Sequence, residues 1–262
     1  MEKIINSTHR AVSPIQTEKP SSRTDHRVAI LQSNYIPWKG YFDIIHDVDL
    51  FIFYDDVQYT QRDWRNRNKI KTARGTEWLT IPTNGTRRHL ICDVGFTDPR
   101  WQTKHWDTLR HNYGKTPHFV RYRAFLEDVY LGRQWNYLSE LNQYLIEQVS
   151  RQFLGISTAF ADARRYHAAE AKQERIIDLL TKAQATLYVS GLSAKNYIDE
   201  TRFAQLGIEL VWKEYGGYPE YPQFHPPFEH NVTILDLLFH TGPDAPYYIW
   251  GWRASGNSKN YK

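Results

Sequence analysis

The first apolar run of the sequence is Val28-Ala-Ile-Leu31, followed directly by Gln32-Ser-Asn-Tyr-Ile-Pro-Trp-Lys-Gly-Tyr41. Its four apolar residues predict a short buried strand. The strand must end in the polar segment, because Pro37 has no backbone N–H to donate to a sheet. Residues 41–46 then predict a short helix, and Asp49-Leu-Phe-Ile-Phe-Tyr54 predicts a second buried strand. A strand, a helix and a strand at this spacing favour a βαβ unit with parallel strands.

A second strand–loop–helix–strand pattern lies nearer the end of the chain. Thr186–Ser190 and Ile208–Trp212 predict its strands, and residues 200–206 predict the helix between them. The residues between the two patterns predict a β-meander, followed by a helical lobe at about 98–182. The predicted fold class is therefore α/β, with a Rossmann-like parallel sheet, a β-meander insertion and a helical lobe. The extended segments of the meander are Asn66–Lys71, Glu77–Pro82 and Leu90–Phe96.

Composition indicates one globular core rather than a membrane protein. The chain has 262 residues, 41% of them hydrophobic, and no apolar run approaches the roughly 18 residues of a membrane-spanning helix. We predict a flexible tail over residues 1–27, one domain over 28–245 and a C-terminal tail over 246–262. The single cysteine, Cys92, cannot form an intrachain disulfide, which agrees with a reducing compartment and a cytoplasmic protein.

The charge is only mildly basic, since 33 Lys and Arg against 29 Asp and Glu give a net +4. A dedicated nucleic-acid binder usually concentrates a larger excess on one face, so this balance disfavours nucleic acid as the partner. A small anionic substrate, such as a phosphorylated metabolite, fits the charge at least as well, and a carrier protein is an open alternative. The 11 histidines form no recognisable metal set, and no cofactor can be identified.

Polar loops follow three of the predicted strands. They are Gln32–Gly40, Asp55–Gln58 and Ser190–Tyr197. Ligands of open parallel sheets bind beyond the carboxyl ends of the strands, so these loops are expected to share one rim. The candidate substrate-binding residues are Gln32, Asn34, Tyr35, Trp38, Gly40, Tyr41, Gln58, Arg65, Asn66, Arg67, Ser190, Gly191 and Lys195. The candidate catalytic residues are Asp56 and Asp55.

The chemistry of these residue types suggests roles. The amides and aromatic rings of the first loop suit a base or a sugar ring. Arg65 and Arg67 carry guanidinium forks that bind phosphate or carboxylate, although a solvated charged strand is the alternative. Asp55 and Asp56 are adjacent on a strand and face opposite ways, so only one is expected to point at a ligand. That carboxylate would act as a general base, as a magnesium ligand or as a partner for a hydroxyl group.

The chain resembles the WbqC-like protein family. The resemblance rests first on Gln32-Ser-Asn-Tyr-Ile-Pro-Trp-Lys-Gly-Tyr-Phe42, Asp55-Asp-Val-Gln-Tyr59 and Trp64-Arg-Asn-Arg-Asn68. Later matches include Trp78-Leu-Thr-Ile-Pro82 and Ile234-Leu-Asp-Leu-Leu-Phe239. The resemblance implies a biosynthetic protein of surface-polysaccharide, O-antigen lipopolysaccharide or related clusters. A transferase acting on an activated sugar or an amino group is the activity it implies, without a catalytic residue that can be carried over.

A fainter resemblance connects the first strand and loop with nucleotidyltransferases of the HUP superfamily. Those enzymes place a His-x-Gly-His motif after the first strand, whereas this chain has Trp38-Lys-Gly-Tyr41. The two absent histidines make adenylyl transfer by that mechanism doubtful. The functions to be weighed are therefore a transferase acting on an amino sugar nucleotide or similar metabolite, a HUP-type nucleotidyltransferase or ATP-dependent ligase, and a non-catalytic nucleic-acid or carrier-binding module.

Overall fold

The computed structural model describes residues 25–169, 171–196 and 198–255; residues 1–24 of the predicted N-terminal tail and 256–262 of the predicted C-terminal tail lie outside them. In chain order, the strands are β1 (Arg27–Leu31), β2 (Leu50–Phe53), β3 (Arg67–Thr72), β4 (Gly75–Thr80), β5 (Ala159–Asp162), β6 (Leu187–Gly191) and β7 (Glu209–Lys213). The α-helices are α1 (Lys39–His46), α2 (Trp101–Tyr113), α3 (Phe119–Glu127), α4 (Leu138–Gln148), α5 (Lys172–Lys182), α6 (Glu200–Gln205), α7 (Ile234–Thr241) and α8 (Trp252–Ser255).

A five-stranded parallel sheet forms the centre, in the order β5–β2–β1–β6–β7. Alternate residues of each strand point to opposite faces. Ala29, Phe51 and Val189 belong to the larger core, beneath α1–α4 and α7, whereas Val28 and Tyr188 belong to the smaller core, beneath α5 and α6. The apolar runs of the sequence are thus explained by burial on both faces. This arrangement confirms the predicted α/β class.

The strand order determines where a ligand is expected. From β1 the chain adds β2 and then β5 on one side, while β6 and β7 lie on the other side of β1. The direction of winding therefore reverses between β1 and β6. In open parallel sheets the crevice beyond the carboxyl ends of the strands, at such a reversal, is the usual binding place.

The predicted meander is reduced to a two-stranded hairpin. β3 and β4 pair in antiparallel register, with Lys69 opposite Trp78. The third predicted segment, Leu90–Phe96, is not a strand and contains a 3-10 turn at Ile91–Asp93. The cause is a set of bonds to the loop after β2: the Ile91 and Cys92 N–H groups donate to the carbonyls of Val57 and Asp55, at 3.0 and 2.9 Å. These backbone groups are therefore not available for a third ladder.

The stretch expected to form a helical lobe also contains part of the sheet. α2, α3 and α4 form the lobe, and π-helical segments extend α3 over Asp128–Gly132 and α4 over Val149–Phe153. Sequence analysis missed β5, whose four residues are too few for a strand pattern to be recognised. α5 covers the second face of the sheet rather than joining the lobe. No helix within the described ranges has both the length and the apolarity to cross a membrane.

The domain continues past the boundary predicted at residue 245. Ile249 is fully buried in the larger core. The N–H groups of Trp250 and Gly251 both donate to the Pro246 carbonyl at 3.0 Å. α8 then brings Arg253 to Asp43 of α1, where its Nη1 donates to Oδ1 at 2.9 Å. The polar composition of this segment concealed an apolar anchor and a long-range ion pair, which connect it with the domain.

Asp43 is the centre of a buried ionic cluster. Its carboxylate has no exposed surface and lies 2.9 Å from the Lys213 Nζ atom. It also accepts hydrogen bonds from Arg253 and, at 2.6 Å, from the Tyr218 hydroxyl. Lys213 pairs in addition with Asp47 at 2.5 Å. Burial opposes ionisation of Asp47, but the hydrogen bond from His46 and the Lys213 cation outweigh it and lower the pKa of Asp47. The cluster joins α1, β7, α8 and the segment before α7.

Asp43→Ala is expected to lower the free energy of unfolding by about 3–5 kcal/mol, because the partly buried Arg253 loses its carboxylate partner and the buried Lys213 loses one of its two. Equilibrium urea unfolding measures the change. The matched control is Glu127→Ala, which breaks the partly exposed Arg123–Glu127 pair at 2.9 Å and is expected to cost less than about 1 kcal/mol. Equal losses in the two variants would contradict a structural role for the Asp43 cluster.

Candidate functional site

The loop after β1 and the loop before β3 meet around one guanidinium group. Arg65 Nη2 donates to Gln32 Oε1 at 2.9 Å, and Nη1 donates to Asn34 Oδ1. The two loops are also joined through their backbones, since the Tyr35 N–H donates to the Trp64 carbonyl at 3.0 Å. Two loops that are separated along the chain thus form one wall at the carboxyl end of β1.

The charge of Arg65 is held mainly by neutral oxygens. Its side chain is only 13% exposed, and the nearest carboxylate within ion-pair range is Asp63 at 4.0 Å. Its Nε atom is buried and has no hydrogen-bond partner among the described residues. The amide oxygens solvate the guanidinium without neutralising it, and its charge also acts on the carboxylates of Asp63 and the buried Asp55. This is the main electrostatic feature of the rim.

A cavity of about 250 Å³ opens beside this wall. Its lining combines amide groups with indole and proline rings. The lining residues are Asn34, Pro37, Trp38, Trp64, Asn68 and Asn231. Such a combination can cover the face of a ring and hydrogen-bond its substituents.

Trp38 is held in this lining by aromatic and glycine contacts. Its ring centroid lies 5.5 Å from that of Tyr215 and 6.0 Å from that of Tyr218. A Cβ atom at Gly40 would lie 2.2 Å from the Trp38 ring. Glycine is therefore required at the start of α1 for the indole to fold back over the helix.

The two adjacent acids point to opposite faces of the sheet. Asp55 continues the alternation of Phe51 and Phe53 and is fully buried; its oxygens accept from the Ser33 N–H and from Gln143 Nε2, each at 2.8 Å. Burial raises the pKa of Asp55.

Asp56 instead accepts from Arg175 Nη2 of α5 at 2.5 Å. Its side chain is 11% exposed, and Oδ1 has no partner among the described residues. Arg175 belongs to a helix on the smaller-core face.

Several other candidates have structural contacts at the rim. The Tyr41 hydroxyl donates to the Gln32 carbonyl at 2.9 Å and keeps the first loop closed. Asn66 Nδ2 donates to the Ile81 carbonyl at 2.9 Å. Gln58 is exposed and donates to the Arg87 carbonyl at 2.7 Å. These contacts place Tyr41 in the support of the first loop, and Asn66 and Gln58 in the support of the neighbouring loops.

The loop after β6 is less closely connected to Arg65. Ser190 is buried, and its hydroxyl donates to that of Tyr188 at 3.3 Å. Lys195 lies over Trp212, with Nζ 5.4 Å from the ring centroid. Gly191 comes nearer to the cavity lining, since a Cβ there would lie 3.6 Å from the Tyr215 hydroxyl. Tyr197, the last residue of this predicted loop, lies outside the described residues.

Sequence reasoning missed Trp64, Asn68, Gln143 and Asn231. Trp64 and Asn68 stood inside a quoted motif, and their position beside Arg65 was the available signal. Gln143 comes from α4 and Asn231 from the segment before α7, so no local pattern could connect them with β1. Asn231 is brought in by backbone bonds that flank it, such as that from the Ile234 N–H to the Pro37 carbonyl at 2.8 Å.

The described residues contain no group of three or more His, Cys, Asp or Glu side chains that could hold a metal ion. Burial and the neighbouring Asp93 raise the pKa of Cys92 to about 11. A thiol in that environment is a poor nucleophile, in agreement with a structural role.

Buried hydrogen bonds connect Tyr35, in the loop after β1, with His105 and Tyr130. His105 Nε2 lies 3.2 Å from the Thr80 carbonyl, which can only accept, so this nitrogen carries the proton. His105 Nδ1 therefore accepts from the Tyr35 hydroxyl at 2.8 Å. The Tyr35 oxygen in turn accepts from the Tyr130 hydroxyl at 2.6 Å. Burial lowers the pKa of His105 from 6.5 to about 4.

Because of the lowered pKa of His105, the free energy of unfolding is expected to depend on pH. An unfolded His105 binds a proton near pH 6.5, whereas the folded one resists protonation down to about pH 4. The stabilisation is therefore present above pH 6.5 and is lost as the pH falls to 4, amounting to about 3 kcal/mol. Urea unfolding of the wild type and of His105→Gln between pH 7.5 and 4 measures it. The variant should lose this part of the pH dependence, while His111→Gln, an exposed change on the same helix, should keep it. An unchanged profile in His105→Gln would refute the assignment.

Comparison with known proteins agrees with the motifs of the rim. The model of the WbqC-like protein family matches residues 32–248. The uncharacterized protein Rv1507c of Mycobacterium tuberculosis (strain ATCC 25618 / H37Rv) is 46% identical over 225 residues, which cover 85% of this chain and 97% of that protein. No solved structure gave a significant match. From the loop after β1 to the segment after α7, the chain belongs to the WbqC-like protein family.

Proposed function

We propose that the protein is a biosynthetic transferase that acts on a small activated metabolite, with an amino sugar nucleotide as the first candidate. Family membership supports a biosynthetic role in general terms. The observation that carries the proposal is the Arg65 guanidinium, which neutral amide oxygens hold beside a cavity lined by amides and indoles. In this proposal Arg65 binds the phosphate or carboxylate of the metabolite, and the cavity receives a ring.

The two acids take different parts in the proposed reaction. Asp55 positions the loop, because both of its oxygens are occupied by Ser33 and Gln143. Asp56 is the candidate proton acceptor, because its Oδ1 atom is buried, on the side of the sheet that faces α5, without a partner among the described residues. It would take a proton from the amino group of the sugar nucleotide as that nitrogen attacks the thioester carbonyl of an acyl-CoA, which is general base catalysis. The C–N bond forms, the C–S bond breaks, and the departing CoA thiolate takes up the proton. Arg175 would hold the Asp56 side chain in position through its hydrogen bond to the carboxylate.

A binding screen tests the proposed role of Arg65. The screen uses calorimetry and thermal shift. It compares binding of sugar nucleotides, acyl-CoAs, ATP with and without magnesium, and single-stranded RNA. We expect an amino sugar nucleotide to bind and Arg65→Ala to weaken it by about 10-fold or more, since a charge-assisted hydrogen bond contributes about 1.5–3 kcal/mol. Arg88→Ala, at an exposed residue, is the control and should bind like the wild type.

Other outcomes of this screen have defined meanings. Binding of ATP alone, dependent on magnesium, would replace the proposal with a HUP-type nucleotidyltransferase or ligase, to which the strand order is favourable. Binding of RNA alone, weakening steeply with salt, would replace it with a nucleic-acid-binding module. Binding of none of these compounds would refute the transferase.

The proton acceptor is tested by Asp56→Asn. Mass spectrometry follows the transfer of the acyl group from acyl-CoA donors to the amino group of the sugar nucleotide that binds. Loss of a general base should reduce turnover by about 10²–10⁴-fold, whereas the dissociation constant should change only a few-fold. Asp178→Asn, which removes a carboxylate paired with Lys182 on the helix that carries Arg175, is the matched control and should turn over like the wild type. Wild-type turnover in Asp56→Asn would remove Asp56 from the mechanism.

A further inference from the structure

The outer face of the β3–β4 hairpin is unusual for a solvated strand pair. Arg67, Lys69 and Trp78 lie on this face, with Lys69 directly opposite Trp78 in the ladder. On the other face, Ile70 and Leu79 are buried in the larger core. The hairpin thus rests on the core by one face and presents an indole and two cations on the other.

A second indole extends this face towards the cavity. Trp64 and Trp78 have ring centroids 5.3 Å apart and planes inclined by 44°. They are 41% and 42% exposed. A single exposed aromatic ring needs no explanation, but two that touch each other form a stacking surface. Trp64 also lines the cavity, so the surface and the cavity are continuous.

Arg67 and Lys69 form no ion pair with a carboxylate among the described residues. Arg67 Cζ lies 4.2 Å and Lys69 Nζ 5.3 Å from the Trp78 ring. Neither side chain makes a hydrogen bond or ion pair with a described residue, although the charge of Arg67 helps to lower the pKa of Asp63. Arg74, at the turn of the same hairpin, pairs with Glu77 at 2.9 Å. Arg67 and Lys69 are therefore available to an anion.

The volume of the cavity indicates which part of a ligand it could hold and which part would lie outside it. About 250 Å³ is less than the roughly 300–1,000 Å³ of a whole small-ligand pocket. A ring-sized fragment would occupy it, and the rest of a larger ligand would extend past Trp64 onto the hairpin. The groups met there are two indole faces and two free cations, which match a base and its phosphates.

We infer that the Trp64–Trp78 pair, with Arg67 and Lys69, is the binding site for the nucleoside diphosphate part of the activated metabolite. The base stacks on the exposed indoles, and the phosphate oxygens accept hydrogen bonds from Arg67 and Lys69 together with Arg65 of the adjoining wall. The ring carried by the diphosphate then enters the cavity beside Asn34. This inference rests on the proposed transferase function and specifies the part of the substrate that the hairpin recognises.

The test is calorimetry of the full-length chain with UDP, GDP, dTDP, ADP and inorganic pyrophosphate. At least one nucleoside diphosphate should bind and quench tryptophan fluorescence. Trp78→Ala should weaken it by roughly 5- to 100-fold, the range for one stacked base. Trp78→Phe should recover part of the loss, because it keeps a ring, and this recovery would show that the site is otherwise intact. Tyr247→Ala, at another exposed aromatic residue, is the control and should not weaken binding.

The cations are tested separately from the indoles. Arg67→Gln should weaken the nucleoside diphosphate and flatten the salt dependence of its binding. Arg74→Gln, which removes a charge already paired on the same hairpin, should do neither. Equal effects of the two changes would overturn the role given to Arg67.

Failure of this inference can be distinguished from failure of the proposed function. Sugar-nucleotide binding that depends on Arg65 but is unchanged in Trp78→Ala would overturn the inference and leave the function standing. UDP binding that depends on Trp78, without any sugar nucleotide engaging Arg65, would support the inference and count against the function. A decamer of uridine that binds through Trp78 much more tightly than UDP would overturn the inference in favour of single-stranded RNA. No binding of any nucleotide would overturn it as well.

Discussion

The arrangement of the rim depends on the contact between the Arg65 guanidinium and the side-chain oxygens of Gln32 and Asn34. A guanidinium group cannot be neutralised by losing its proton, so a partly buried arginine must be solvated by the protein. Here that solvation comes from amides at the end of β1, and it fixes the loop before β3 against the loop after β1. Because the amides carry no charge, the contact holds the side chain in place without cancelling its field.

This constraint explains why the sheet and the hairpin act as one unit. The parallel sheet supplies a rigid edge at the end of β1, and the hairpin is attached to that edge through Arg65, Tyr35 and Trp64. His105 adds a second connection, since it bonds to Thr80 at the end of β4 and to Tyr35 in the loop after β1. Side chains on the hairpin are thereby held at defined positions relative to the crevice, as a site that must orient a ligand requires.

Sequence reasoning succeeded where a signal is local. The apolar runs predicted β1, β2, β6 and β7. The alternation of side chains along a strand correctly placed Asp55 and Asp56 on opposite faces of the sheet. It failed where a contact depends on tertiary structure. β5 is a four-residue edge strand without a readable pattern, and the third strand of the meander was replaced by a turn because its N–H groups bond to the loop after β2. The partners Gln143 and Arg175 come from helices far along the chain, and no spacing rule connects them with the acids that they contact.

The ionic cluster around Asp43 has a consequence for the order in which the chain can assemble during synthesis. The carboxylate lies in the first helix, whereas its partner Arg253 is 210 residues further along. Until the ribosome has produced β7 and α8, removing Asp43 from water would leave a charge without compensation. The first βαβ unit therefore cannot complete its packing early, and the nascent domain must remain partly hydrated at α1 until its C-terminal residues emerge.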